Sequence, residues 1–266
     1  MTQSVGLLWR DLAVQCRVIG AIMLRDMVTR WGRRNLGFAW LFCEPLIFAF
    51  PVIIVWSYVR APFEHGLPMT TFVWTGYMPL LIFRHVSSGA LFSLRGSTAL
   101  FYHRRVTPLD VFFGRQGLEA LGNLASVAVS LVLFVCIGVM NFPEDYGLML
   151  LGFLYTTWWS LCIALILATL SERSEIVAHV WAPISYLYIF FSGFFFLVQW
   201  LPPRLQRIVL AIDPPVHCYE MIRSGMFGSQ LVHPYYDIGY VSFILAIMTL
   251  IGLWLMHDVR NHLEFQ

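Results

Sequence analysis

The chain contains no lysine; all seventeen of its basic residues are arginine. The phosphate-cradling loop of P-loop ATPases needs its lysine, so if ATP drives this protein in that way, another chain must supply the site. Charge of either sign is scarce. Only 12% of the residues are charged, against about 25% in soluble domains. A formal net charge of +2, without any basic stripe interleaved with aromatics on a polar segment, argues against a nucleic-acid partner. Metal signatures are missing as well. The eight histidines include no HExxH and no pair at i, i+4, and Cys16, Cys43, Cys136, Cys162 and Cys218 have no metal-site spacing. The cysteines read as small apolar side chains.

What the chain has instead is apolar length. It is 59% hydrophobic and 16% aromatic over 266 residues, and several runs approach or exceed the ~20 residues that cross a bilayer as a helix. The fold class is therefore all-α integral membrane protein, with residues 1–266 forming a single transmembrane domain. Residues 1–34 alternate apolar and charged, and their longest uncharged stretch, 18–24, is too short to span. No small-residue cleavage site follows, so a signal peptide is not expected. The pattern predicts an amphipathic helix in the membrane interface, within a cytoplasmic segment 1–38. Six spans are expected near 39–59, 70–94, 112–139, 147–170, 176–200 and 236–256, with a tail at 257–266.

Arginine placement orients the spans. With the N-terminus cytoplasmic, that side carries Arg10, Arg17, Arg25, Arg30, Arg33, Arg34, Arg95, Arg104, Arg105, Arg115, Arg173 and Arg260. The opposite side carries only Arg60, Arg204, Arg207 and Arg223, so both termini are expected in the cytoplasm. Between the last two spans, "LQRIVLAI" and "VHCYEMIRSGMF" have helical character but are too short to cross. Asp213 before Pro214 and Pro215 matches an N-cap followed by proline at the first helical position. Two short helices that dip into the outer face or lie on it are predicted there. Cys218 is then the only cysteine on the oxidising side, and no intrachain disulfide is expected.

Three segments could carry function. The link 97–115, "STALFYHRRVTPLDVFFGR", joins exposed aromatics to a basic triplet. A loop serving only topology has no need of Leu100, Phe101 and Tyr102 in a row before His103, Arg104 and Arg105. It reads as an amphipathic docking helix for a cytoplasmic partner. In the second span, Trp74, Tyr77, Leu81, Arg84 and Ser88 follow 3-and-4 spacing and share a face, loosened by Pro79. An arginine facing lipid there costs at least about 2.5 kcal/mol. Arg84 therefore faces protein or a polar cavity, and a structural ion pair with Glu44 stays open beside a channel role. In the fifth span Trp181, Ser185, Tyr188 and Ser192 form a second aromatic–hydroxyl stripe, opposite His179, Pro183, Tyr186 and Gly193. Tyr155, Trp158 and Trp159 cluster near the outer start of the fourth. Such stripes serve packing or interfacial anchoring, or else sliding contacts with sugar rings.

These segments carry a resemblance. "LRDMVTRWGRRNLGFAWLFCEPL" is similar to the N-terminal signature of type-2 ABC exporter permeases, "LFYHRRVTPLD" resembles the cytoplasmic loop of their capsular-polysaccharide branch, and "DPPVHCYEMIRSGMF" resembles the segment before the last span. Asp213 stands where that family usually has asparagine, which also caps helices. The likeness runs from about residue 20 to 256 and rests on order and spacing rather than on any single motif.

The resemblance implies a non-enzymatic transport subunit of a bacterial inner (cytoplasmic) membrane exporter for a lipid-linked capsular polysaccharide. It implies a homodimer with a channel between the copies and two copies of a separate ATPase, which would hold ATP and Mg, docked mainly on 97–108. This chain would hold no cofactor, and periplasmic and outer-membrane export components would join it. Related permeases move O-antigen, teichoic acid or small drugs, and these cargoes remain alternatives. An intramembrane transferase fits less well, because no acids and histidines converge on one depth. In such permeases the Glu44–Pro45 pair sits near the cytoplasmic mouth. Counted from Ala39, Glu44 is ~8 Å along the helix, close enough to water or an arginine to stay charged. The pair is expected to shape the channel entrance. The expected channel wall comprises Trp74, Tyr77, Arg84, Ser88, Tyr155, Trp158, Trp159, Trp181 and Tyr188.

Overall fold

A computed structural model of the chain describes residues 2–31, 43, 46–47, 50–52, 54–55, 63–64, 66–95 and 106–263. The described helices are α1 (Thr2–Trp31), α2 (Met69–Gly89), α3 (Pro108–Cys136), α4 (Tyr146–Arg173), α5 (Ile176–Leu187), α6 (Pro203–Ile212), α7 (Pro214–Phe227) and α8 (Ile238–Leu263). A two-residue hairpin, Phe63–Glu64 against Leu67–Pro68, turns at Gly66 and leads into α2. The described positions between 43 and 55 are helical, but Glu44 and Pro45, expected at a channel entrance, lie outside the described residues.

Local chemistry sets several helix starts. Thr107 and Asp110 form a reciprocal capping box at the head of α3, with Pro108 inside the first turn. Asp145 caps α4 by accepting from the Leu148 amide at 2.9 Å. Asp213 occupies the N-cap position of α7, yet its side chain makes no cap bond. Pro214 and Pro215 have no N–H to offer, and the Val216 amide already bonds the Asp213 carbonyl at 3.2 Å. The carboxylate turns instead to the Tyr188 hydroxyl, 3.0 Å away.

Three described helices are long and apolar enough to cross a membrane: Pro108–Cys136, Tyr146–Arg173 and Ile238–Asp258. They answer the spans expected near 112–139, 147–170 and 236–256. The span expected at 70–94 corresponds to α2, which stops at Gly89 and gives way to a turn. The chain is thus an all-α membrane protein, and α6 and α7 are the two short helices expected before the last span.

The stretch expected as one fifth span, 176–200, is broken. α5 is only 12 residues long; a 3-10 turn, Tyr188–Phe190, continues it. Gly193 then takes φ +86, a conformation that glycine adopts at no steric cost. The break leaves backbone carbonyls without helical partners, and Arg223 of α7 supplies the missing donors. Its Nη1 donates to the carbonyls of Gly193 (2.7 Å) and Phe196 (2.5 Å), and its Nη2 to that of Phe194 (2.7 Å). Glu220, one turn earlier, accepts from the Val198 amide at 2.9 Å. Both side chains are buried, Arg223 completely. Irregular backbone is tolerated at membrane depth only where protein groups satisfy it. Here two ionisable side chains do so.

α7 itself is held by α4. A Cβ on Gly152 would lie 2.9 Å from the Ile222 amide and 3.0 Å from the Cys218 carbonyl, and one on Gly225 would lie 2.5 Å from the Met149 amide. The Asp145 amide also donates to the Gly225 carbonyl at 2.8 Å. Residues 218, 222 and 225 therefore pass 152, 149 and 145 in reverse order, so α7 runs antiparallel to the first half of α4 at backbone contact. Small residues let membrane helices approach this closely. α8 runs in the same direction as α4, with Gly252 against Leu165 and Arg173 bonded to Asp258.

Replacing Arg223 with methionine strands three buried carbonyls and leaves Glu220 without a nearby cation. The expected loss is about 3–5 kcal/mol, seen as lower accumulation in membranes and a lower melting temperature in detergent. Arg223→Lys should fall between, because an ammonium lacks the planar fork that reaches three acceptors. A methionine variant that melts like the parent would refute this role.

Candidate functional site

The nine residues expected to line a channel are placed on three different surfaces. Trp74 is fully buried; its indole N–H donates to Ser130 Oγ of α3 at 3.0 Å, and its ring meets Phe153 of α4 edge-on. Tyr155 bonds Ser242 at 2.7 Å and the Trp158 indole donates to Thr249 at 3.1 Å, so both are tied to α8. Cys162 joins the same seam through Thr249. Trp159 is half-buried, with an enclosed indole N–H that finds no acceptor among the described residues.

Of the remaining residues, Tyr77, Arg84 and Ser88 lie on α2, Trp181 on α5 and Tyr188 in the 3-10 turn that follows it. Phe83 of α2 packs its ring against Trp181 and Tyr188, at centroid distances of 5.9 and 4.8 Å. Tyr188 reaches on to Asp213, linking α5 to the head of α7. Half-buried Tyr77 meets Phe194 edge-on, and Ser88 is exposed. Arg84 is half-buried, its guanidinium carbon 4.1 Å above the ring of Tyr186, which is itself 60% exposed. Among the described residues no carboxylate pairs with Arg84. The cation–π contact is the charge-compensating feature seen.

The split has a helical cause. A step of seven residues drifts by only about 20° around a helix, while a step of three drifts by about 60°. Tyr77 and Arg84 therefore stay together, and Trp74 rotates into the α3–α4 side. Sequence spacing could not choose which side was inside. The expected docking residues Leu100, Phe101, Tyr102, His103, Arg104 and Arg105 lie outside the described residues. Two residues that spacing assigned no role, Glu220 and Arg223, are deeply buried and bonded to the backbone of the broken segment. Their signal was two charges three positions apart in a short, otherwise apolar helix, downstream of the glycine-broken run "FFSGFFF".

No group of three or more histidine, cysteine, aspartate or glutamate side chains among the described residues could hold a metal ion. The described contacts are those of packing, anchoring and a surface cation, all within helices built for a membrane.

Comparison with known proteins gives a consistent picture. Residues 17–227 match the model of the ABC-2 type transporter family. The chain is 34% identical to the capsule polysaccharide export inner-membrane protein CtrC of Neisseria meningitidis serogroup B, over 97% of each chain. It is also 34% identical to the capsule polysaccharide export inner-membrane protein BexB of Haemophilus influenzae, over 97% of this chain and 96% of that one. Identity to the polysialic acid transport protein KpsM of Escherichia coli is 25%, over 90% and 92%. By sequence, the chain belongs to the ABC-2 type transporter membrane family.

Proposed function

We propose that this chain is the membrane-spanning subunit of an ATP-driven exporter that moves a lipid-linked capsular polysaccharide across the bacterial inner membrane. The observation that carries the proposal is full-length similarity, at 34% identity, to proteins named for capsule polysaccharide export. In this reading the chain spans six times, keeps both termini in the cytoplasm and pairs with a second copy. Two copies of a separate ATPase bind ATP and Mg and dock on the loop around 97–108. This subunit binds and guides cargo without chemistry of its own. Periplasmic and outer-membrane components receive the polymer.

The region between α2 and α5 is the proposed cargo-facing surface. Arg84 and Tyr186 present a cation on an aromatic face, flanked by Tyr77 and exposed Ser88. Flat rings meet the CH faces of sugars, hydroxyls meet their OH groups, and the guanidinium suits acidic substituents. Counted from Gly89, Arg84 stands ~8 Å from the cytoplasmic end of its helix in this topology. Tyr155 and Trp158 fasten α4 to α8, and Glu44 and Pro45 are proposed at the entrance.

Three outcomes test the proposal. The purified chain alone should hydrolyse no ATP, because it has no lysine for a phosphate loop; sustained hydrolysis by the isolated polypeptide would sink the reading. Phe101→Ala with Tyr102→Ala should reduce co-purification of the ATPase while membrane insertion continues. An unchanged complex with normal export would remove the docking assignment. Arg84→Ala should lower surface polysaccharide while protein level and ATPase binding hold, and Arg84→Lys should restore part of the export. If the alanine variant fails to accumulate, Arg84 belongs to a buried pair, whose loss typically costs about 3–5 kcal/mol.

A further inference from the structure

Asp213 sits where three pieces of the chain meet. It ends α6, heads α7 and accepts a hydrogen bond at 3.0 Å from the hydroxyl of Tyr188, in the turn that follows α5. That bond uses Oδ1 alone. Oδ2 is enclosed and finds no partner among the described residues. No arginine among them pairs with Asp213, and Arg204 and Arg207, the cations of α6, are exposed. His217, one turn into α7, brings no charge either. Its Nε2 donates to the Leu210 carbonyl at 2.9 Å while its Nδ1 accepts from the Asp237 amide at 3.0 Å. An imidazole that accepts at one nitrogen is neutral, and burial pushes its pKa down. Cys218 and Tyr219 of α7 are the other titratable groups within electrostatic reach, and both are neutral at pH 7. From α8, Asp237 turns its carboxylate to the Tyr240 amide, and the Tyr240 hydroxyl donates to the Ala211 carbonyl.

What depends on the Tyr188 bond is the surface proposed to face cargo. Tyr188 packs its ring on Phe83 of α2 at 4.8 Å, and Tyr186, two residues earlier, lies under the guanidinium of Arg84 at 4.1 Å. Two neighbouring residues of α2 thus meet two tyrosines at one end of α5. At its base α5 is held through Glu175, its N-cap residue, which pairs with Arg95 at 3.0 Å. Of the twelve residues between, only Ser185 is buried. Packing alone therefore does little to fix the far end of α5 against α2, and the hydroxyl of Tyr188 supplies a directional tie.

We infer that Asp213 is a positioning residue for export: through the Tyr188 hydroxyl it holds the end of α5 so that Tyr186 stays on Arg84, and the charge on its carboxyl sets how firmly that hold is kept. The inference rests on the proposed cargo-facing role of Arg84 and Tyr186. Burial raises the Asp213 carboxyl to about 6, and the Tyr188 bond opposes this without cancelling it. One hydrogen bond does not replace the water that an ionised carboxylate loses. Freed from the junction, Asp213 would regain that water and an ordinary pKa of about 3.9. The held arrangement therefore binds the proton more tightly. It is fully favoured below about pH 4 and loses ground as pH rises through about 6. Asparagine keeps an acceptor for Tyr188 and carries no charge, so it keeps the hold at every pH.

The test measures polysaccharide reaching the surface of the native host, per chain in the membrane, in media of about pH 5 and about pH 8. Asp213 lies on the outer side in the proposed topology and so meets the pH of the medium. Parent and Asp213→Asn should export within about twofold of each other at the acid pH, and the ratio of parent to variant should fall at least about threefold by the alkaline one. Tyr188→Phe keeps its ring on Phe83 but loses the hydroxyl, and its export should drop at least about threefold at the acid pH. Adding Asp213→Asn to Tyr188→Phe should then change nothing, because both groups act through one bond. A ratio that does not move with pH overturns the inference, and so does normal export by Tyr188→Phe or an additive double variant. Failure of Asp213→Asn to accumulate overturns it as well, since the amide preserves the acceptor. If Tyr188→Phe does not accumulate, the pH dependence of the Asp213→Asn ratio decides alone. Failure of the underlying reading looks different: Arg84→Ala would match the parent at both pH values, and deleting the chain would leave surface polymer intact.

Discussion

A helix that stops inside a membrane exposes carbonyls that lipid cannot bond, and one half of this fold is arranged around meeting that demand. The break near Gly193 would be untenable without Arg223, whose guanidinium occupies the space between Phe72, Tyr219 and the interrupted backbone. Burying an arginine is itself unfavourable, and the three carbonyl acceptors and the nearby Glu220 offset that cost together. Each irregularity is tolerable only because of the other. The glycine at position 76 follows from the same requirement, since a Cβ there would come within 3.1 Å of the Phe194 carbonyl that Arg223 is holding.

From this knot the rest of that half follows. α7 must sit beside the broken segment to deliver Arg223, and α4 accepts it through glycine against backbone. α8 packs on the other flank of α4 through hydroxyl and sulfur contacts rather than through shape alone. At the opposite end of the helices, charge replaces glycine and hydroxyl as the fastening. There Arg115 pairs with nearly buried Asp26, and Arg95 pairs with Glu172 and exposed Glu175.

Much of this was legible in the residues. Apolar run lengths announced α3, α4 and α8, because covering a bilayer's thickness is a requirement of composition. The Pro-Pro pair announced the start of α7, and Thr107-Pro108 announced the start of α3. The interruption at Gly193 was not legible as an interruption. "YIFFSGFFFLV" has the hydropathy of a span, and one glycine or serine is common inside membrane helices. What makes the break tolerable is a cation thirty positions later, and no local pattern carries such a partnership. The channel stripe failed to resolve for a related reason. Period marks residues that share a face, but only neighbouring helices decide whether that face looks inward, and Trp74 and Tyr77 part company at that decision.

The shortness of α5 has a geometric consequence. Twelve residues make a rod of ~18 Å, gripped at its base by Arg95 and ending in a 3-10 turn that has few backbone bonds to resist bending. Beyond the turn, the chain is fastened to α7, and α7 is fused to α4. A rod gripped at its base and followed by a bendable turn can pivot about that base. Tilting it by ~10° would sweep its tip by about 3 Å, the width of a water molecule, without disturbing the glycine seam. Ile184, Tyr186 and Leu187, all exposed near that tip, are the side chains such a stroke would move farthest.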